Sequence, residues 1–187
     1  LEKWCSDDVP ISTFTGTKRQ RAVRVEEMKA QGGILVTTYG MVTSSLASFQ
    51  DCGIFEYVIL DEGHVIRNNN TQRAKSLRCI PANHRLILSG TPIQNRLGEL
   101  WALIDFVCKG KLLGDIRVFN RVFAKPIEAG QHKGASVQQQ NRAQRLAAKL
   151  RETIQPYLLR REKAEVLDCG TKKASRRRSE SSGDRDE

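Results

Sequence analysis

No stretch of this 187-residue chain approaches the roughly 20 consecutive apolar residues of a membrane-spanning helix. Its five cysteines, Cys5, Cys52, Cys79, Cys108 and Cys169, form no C-x-x-C pair, and its three histidines, His64, His84 and His132, are equally scattered. That spacing speaks against a zinc module and against a disulfide framework, and it favours a reducing compartment with incidental thiols. A G-x-x-x-x-G-K-[ST] loop is also missing. Gly16-Thr17-Lys18 and Gly110-Lys111-Leu112 lack its spacing and its hydroxyl, so no lysine and nest of N–H groups of that kind is offered to a polyphosphate. There is no internal repeat. The chain opens on Leu1-Glu2-Lys3-Trp4, which is neither an initiator Met nor a secretory signal, and the expectation is that the start of the protein is missing.

What is present is an ordinary globular composition, 39% hydrophobic and 28% charged. The formal net charge is +10, and it is unevenly placed. Residues 1–92 carry 11 basic and 9 acidic side chains, residues 93–167 carry 14 and 7, and residues 168–187 carry 6 and 5. Most of the basic excess thus sits in 93–167, which suits a polyanion such as DNA, although a solvated helical face has the same signature.

Three short apolar runs read as strands covered on both faces: Ile34 to Thr37, Tyr57 to Leu60 and Arg85 to Leu88. Helical segments are expected at Val23 to Gln31, Met41 to Phe49 and Thr71 to Cys79. Strand alternating with helix predicts an α/β fold on a parallel sheet, with its chemistry at the carboxyl ends of the strands. After Pro92 the pattern turns helical. One buried stripe is expected through Leu97, Leu100, Trp101, Ile104 and Val107, and a second through Ala143, Leu146, Ala147, Leu150 and Ile154. Gly110 to Gly134 reads as loop with one short helix near Val118–Phe123. Residues 168–187 read as a disordered low-complexity tail, in which Lys172-Lys173-Ala174-Ser175-Arg176-Arg177-Arg178 is a weak nuclear-localisation pattern.

The strongest chemical signal is Tyr57-Val58-Ile59-Leu60-Asp61-Glu62-Gly63-His64. An apolar strand that ends in two adjacent carboxylates is costly unless a cation or a proton transfer uses them. An Asp so placed can hold Mg²⁺ through water beside a triphosphate, and the Glu can polarise an attacking water. His64 can reach the loop of the next strand. By itself, a strand-end Asp-Glu pair is as compatible with a solvated turn. Ser89-Gly90-Thr91-Pro92-Ile93-Gln94-Asn95, which begins 25 residues past His64 at the end of the next strand, adds small hydroxyl residues around Gly90 that allow close backbone approach.

These two stretches resemble helicase motifs II (DExH, or DEAH-type) and III in the form used by Swi/Snf-type, superfamily-two DNA translocases. Leu35-Val36-Thr37-Thr38-Tyr39-Gly40 is similar to motif Ib of that family, and Leu97-Gly98-Glu99-Leu100-Trp101-Ala102-Leu103-Ile104-Asp105-Phe106 to the block that sets it apart from RNA helicases. Pro156-Tyr157-Leu158-Leu159-Arg160-Arg161-Glu162-Lys163-Ala164-Glu165-Val166 is similar to the segment leading out of its first lobe. Within the family, Asp61 to His64 and the Ile66-Arg67-Asn68 after it most resemble the Cockayne syndrome group B and Polo-interacting checkpoint helicase (excision-repair cross-complementing six-like) branch. Val65, Asn69 and Arg96 depart from residues common in the family.

The resemblance implies a partial RecA-like P-loop NTPase lobe, with helices on both faces of its sheet, followed by a helical protrusion. Residues 1–92 would be the C-terminal part of the first ATP-binding lobe, and 93–167 the protrusion and hinge segment. It implies ATP and Mg²⁺ as cofactors, Asp61, Glu62 and His64 as catalytic residues, and Asp61 as the Mg²⁺ ligand through water. Ser89, Gly90, Thr91 and Gln94 would couple hydrolysis to DNA grip. Thr37, Thr38 and Tyr39 would meet DNA phosphates, contacts that position without reading sequence. Arg160 and Arg161 would brace the hinge. The implied partner is double-stranded DNA in nuclear chromatin, in remodelling or repair, with no membrane and no zinc. A non-catalytic DNA- or protein-binding module, an RNA helicase and a product without function are the competing readings. Without a phosphate loop or a second lobe, residues 1–187 alone are expected to show no DNA-stimulated ATPase. A malachite-green phosphate assay checks this, and magnesium-dependent turnover that vanishes on Glu62→Gln would overturn it.

Overall fold

The computed structural model describes residues 9–90 and 96–160. The chain divides into two compact units, Leu1–Ala147 and Ala148–Glu187. Thr91, Pro92, Gln94, Arg161 and the expected disordered tail lie outside the described residues.

Two parallel strand pairs organise the first unit. β1 (Ile11–Thr13) pairs with β2 (Ile34–Val36), and β3 (Phe55–Leu60) pairs with β4 (Ala82–Ile87). The described strands thus form two two-stranded parallel sheets where one sheet was expected. β1 was not anticipated, because three residues are too few for a period-2 signal. Its register sets Ile11 opposite Ile34 and Thr13 opposite Val36.

The helices follow local chemistry. In α1 (Lys18–Gln31) Thr17 caps the first turn through a reciprocal capping box with Gln20, so the helix starts five residues before the expected Val23. The expected Met41–Phe49 helix is two helices, α2 (Tyr39–Ser44) and α3 (Leu46–Asp51). They break at Ser45, whose φ of −135° and ψ of 34° are not helical. Thr71 caps α4 (Gln72–Arg78).

α5 (Leu97–Cys108) is more deeply buried than its stripe suggested. Ala102, Leu103 and Phe106 are buried along with Leu100, Trp101 and Ile104. The core gathers Phe14, Val25, Phe49, Leu60, Ile66, Leu77, Leu103 and Phe106, so it draws on residues from both sides of Pro92.

Guanidinium groups fasten α5 to β4. Arg85 donates to the carbonyls of Arg78 at 2.9 Å, Ile80 at 3.0 Å and Phe106 at 3.3 Å, and lies 4.8 Å above the Phe106 ring. Burial, and then the neighbouring Arg78, pull its pKa down from the usual range, while Asp105 opposes them. Arg78 itself donates to Asp105 at 3.1 Å and to the Ala102 carbonyl at 3.0 Å. Lys109, in the left-handed C-cap of α5, donates to the Ala82 and Asn83 carbonyls, and Trp101 donates its indole N–H to the Gly114 carbonyl at 3.0 Å.

The expected loop from Gly110 to Gly134 is helical through much of its length: α6 (Ile116–Phe119), a π-helical turn (Asn120–Ala124) and α7 (Lys125–Gln131) run on from one another. Pro126 and Gly130 look like breakers in sequence. The π turn widens the helix just where Pro126 has no N–H to donate and its ring would crowd the preceding carbonyls. Gly130 fits because a Cβ there would lie 2.3 Å from the Ala143 Cβ, on the opening turns of α8 (Val137–Ile154).

One face of the β3–β4 sheet is open. Among the described residues β4 pairs only with β3, and Tyr57, Ile59, Leu86 and Leu88 are 58%, 57%, 45% and 49% exposed. Parallel sheets are ordinarily covered on both faces, as expected here from the apolar runs. The isolated chain should therefore bind a hydrophobic fluorescent dye at neutral pH, and the pair Ile59→Thr and Leu86→Thr should remove most of that signal. Unchanged fluorescence in the double variant would show that this face is not the exposed one.

Candidate functional site

The carboxyl ends of β3 and β4 meet at one point. Beyond the last paired residues, the Leu88 N–H donates to the Leu60 carbonyl at 2.8 Å and the Gly63 N–H donates to the Leu88 carbonyl at 2.9 Å. The chain therefore turns out of β3 while still bonded to the end of β4. Gly63 is required by this approach: a Cβ there would sit 2.3 Å from Ile87 Cγ2.

Asp61 and Glu62 occupy that turn. Glu62 adopts φ 50° and ψ 48°, the left-handed region, at a cost of roughly 1–2 kcal/mol for a residue with a Cβ. Three hydrogen bonds hold the turn against it. The Tyr39 hydroxyl donates to the Asp61 carbonyl at 2.6 Å, the Glu62 N–H donates to Asp61 Oδ1 at 3.0 Å, and the Gly63 N–H makes the bond to Leu88. At about 1 kcal/mol net each, they outweigh the strain. Gly63 then opens a 3₁₀ turn (Gly63–Ile66) that buries Ile66 in the core.

Glu62 reaches toward the next strand's turn. Its Oε1 lies 3.8 Å from where a Cβ would stand on Gly90, and its Oε2 lies 3.2 Å from His64 Nδ1. Glu62 is thus the neighbour of both His64 and Gly90, and the described His64 contact is with Glu62 on its own turn. Glu62 and His64 are well exposed, at 57% and 45% of their side chains. Thr91 and Gln94, grouped with Ser89 and Gly90 in the sequence, lie outside the described residues.

The Thr37–Thr38–Tyr39 segment leads from β2 into α2. Thr37 donates its hydroxyl to the Phe14 carbonyl at 3.3 Å, and the Thr38 hydroxyl accepts from the Met41 N–H at 3.3 Å as the N-cap of α2. Tyr39 packs its ring against the core. Burial, and then the negative charges of Asp61 and Glu62, push its hydroxyl above the ordinary tyrosine range, so it stays protonated and able to donate. Sequence reasoning put Tyr39 beside DNA and missed this bond, since nothing in the spacing from 39 to 61 announces it. Another unannounced link joins Arg67, just past the 3₁₀ turn, to Glu99 of α5 at 3.8 Å. Arg160 is exposed at the end of the described residues, and Arg161 lies outside them.

Two hard carboxylates, open to solvent at a strand end, are a donor set suited to a water-rich Mg²⁺. Among the described residues no three His, Cys, Asp or Glu side chains gather to hold a metal ion by themselves, and no helix is long and apolar enough to cross a membrane.

Comparison with known proteins accords with this geometry. A family model described as the SNF2-related domain matches residues 1–178. Protein CHROMATIN REMODELING 24 of Arabidopsis thaliana is 47% identical over 158 residues, which are 78% of this chain and 14% of that protein. DNA excision repair protein ERCC-6-like of Mus musculus is 40% identical over 177 residues, 92% of this chain and 14% of its own length. Among solved structures, the Sulfolobus solfataricus SWI2/SNF2 ATPase core in complex with dsDNA superimposes with a TM-score of 0.62 at 26% identity, covering 84% of this chain and 30% of that one. The chain thus spans about one seventh of the length of these curated relatives.

Closeness at Gly63 makes a direct test of the site's construction. Gly63→Ala should cost about 1–3 kcal/mol by overpacking against Ile87. Combined with Ile87→Ala, the loss in urea denaturation should be smaller than the sum of the two single losses, because the smaller side chain makes room. Strict additivity would mean that Gly63 and the end of β4 do not touch.

Proposed function

The chain belongs to the SNF2-related domain family, and from that premise we propose that it is the back half of the first motor lobe of an ATP-dependent translocase that moves on double-stranded DNA. One observation carries the reading: the Glu62 carboxylate stands against the Ser89–Gly90 turn, at the joined ends of two parallel strands. In doubly wound folds that crevice is where ligands bind.

In this reading Asp61 holds Mg²⁺ through water, and Glu62 orients and deprotonates the attacking water. When bound, the metal neutralises charge on the β- and γ-phosphates. His64, hydrogen-bonded with Glu62, and the small residues Ser89, Gly90 and Thr91, with Gln94, sense whether the phosphate is present. Thr37 and Thr38 lie at the end of β2; the Thr38 hydroxyl, which accepts from Met41, keeps its proton for a phosphate backbone, while Thr37, whose hydroxyl donates to the Phe14 carbonyl, would serve through its backbone. The basic excess of 93–167, the protrusion and hinge segment, suits the same polyanion, with Arg160 and Arg161 at the hinge. The family resemblance and the names of the relatives, one a chromatin remodelling protein and one a DNA excision repair protein, support a nuclear setting and a role on chromatin. The dsDNA bound in the archaeal ATPase core supports duplex DNA as the track.

The test is ATP hydrolysis by a two-lobed protein that carries residues 1–187. Duplex DNA should stimulate magnesium-dependent hydrolysis, and Glu62→Gln should lower it by about 100-fold or more, the usual share of a general base. Stronger stimulation by RNA than by duplex DNA would overturn the translocase assignment. DNA binding with steep salt dependence but no ATP effect would instead make the chain a binding module.

A further inference from the structure

Among the bonds that hold the carboxylate turn, one comes from outside the β3–β4 pair. The Tyr39 hydroxyl crosses from the start of α2 to the Asp61 carbonyl, a separation of 22 residues. That carbonyl belongs to the peptide between Asp61 and Glu62, so its direction is tied to the left-handed backbone of Glu62. The other two bonds are local to the turn and the neighbouring strand end.

Tyr39 is also the residue directly after Thr37 and Thr38. Thr38 caps the helix that Tyr39 begins, and Thr37 is anchored to the Phe14 carbonyl. A shift of this strand end therefore carries the Tyr39 ring with it, and the ring is seated against the core rather than swinging in solvent.

We propose that Tyr39 is a positioning residue that links the Thr37–Thr38 turn to the carboxylate turn, so that nucleic-acid contact at the first sets the orientation of Glu62 at the second. The inference deepens the ATPase reading and rests on it, because it names the route by which the track regulates hydrolysis. It gives Tyr39 a role other than direct phosphate contact. A phosphate-binding tyrosine governs how much DNA is needed, whereas a positioning tyrosine governs how fast the DNA-saturated enzyme turns over.

Tyr39→Phe tests this, since it deletes the hydroxyl and keeps the ring in the core. The first arm uses the 187-residue chain and amide hydrogen exchange. Exchange at the Gly63 amide should accelerate roughly five-fold or more, in keeping with the loss of one ordinary hydrogen bond from the turn, while amides inside β3 and β4 keep their protection. An unchanged Gly63 rate would overturn the proposal. The second arm uses a two-lobed protein that carries this chain, with DNA-stimulated ATP hydrolysis as the readout. Tyr39→Phe should lower the DNA-saturated kcat by about five-fold or more and leave the half-saturating DNA concentration within about two-fold. Thr38→Ala, the comparison, should raise the half-saturating concentration. A Tyr39→Phe variant with a higher half-saturating concentration and an intact kcat would overturn the positioning role in favour of a phosphate contact. No DNA-dependent hydrolysis in the unaltered protein would sink the motor reading, and with it the regulatory half of the proposal, while the exchange arm decides whether Tyr39 holds the turn.

Discussion

The site depends on two backbone hydrogen bonds past the formal ends of β3 and β4, Leu88 N–H to Leu60 and Gly63 N–H to Leu88. They extend the ladder into the turns, so Glu62 leaves one strand within reach of Gly90 leaving the other. The geometry of the carboxylate turn follows from that continuity. Gly63 is small because the strands converge there, and Glu62 accepts left-handed geometry because the chain must turn sharply while still bonded. Its strain is local and is offset by bonds from three directions, as is common where a backbone is held ready for a ligand.

The rest of the first unit keeps β4 in place. Arg85 and Arg78 send guanidinium bonds into carbonyls around the end of α4 and at Ala102 and Phe106 of α5, and Lys109 closes the C-terminal end of α5 onto the start of β4. These groups are partly buried, so their worth lies in fixing position more than in net stability. Because the core includes Leu103 and Phe106 as well as Phe14 and Leu60, the helix after Pro92 is an integral part of the same packing. Leu97 to Phe106, the block that carried the resemblance to Swi/Snf-type motors in the sequence, is thereby tied to the strand that leads into Ser89 and Gly90. The open face bearing Tyr57, Ile59, Leu86 and Leu88 is the counterpart of this one-sided packing.

Much of this was legible in the sequence, for identifiable reasons. Strands β2, β3 and β4 were found because near-continuous apolar runs leave few alternatives, and α5 because its stripe is strong. The motif order led to the SNF2 family, to which the chain belongs, and to the α/β, RecA-like fold of its solved relatives. What escaped was set by tertiary contact or by unusual backbone. β1 is three residues long and gains its identity from pairing with β2. Of the helical run from Ile116 to Gln131 only a short piece near Val118–Phe123 was legible; the rest hid behind Pro126, which a π turn accommodates. Ser45 splits a helix that periodicity made continuous. Tyr39 could be placed on a strand end by motif, but its bond to Asp61 is a long-range fact that no local pattern encodes.

The convergence of the two strand ends can be read in solution by nuclear Overhauser effects in the isotope-labelled chain. The account expects strong contacts between the Gly63 amide proton and the α-protons of Leu88 and Ser89, together with contacts from the Glu62 side chain to Gly90. A Gly63 amide with no contact beyond its own turn would contradict it, since the carboxylates and the small-residue turn would then be two separate surfaces.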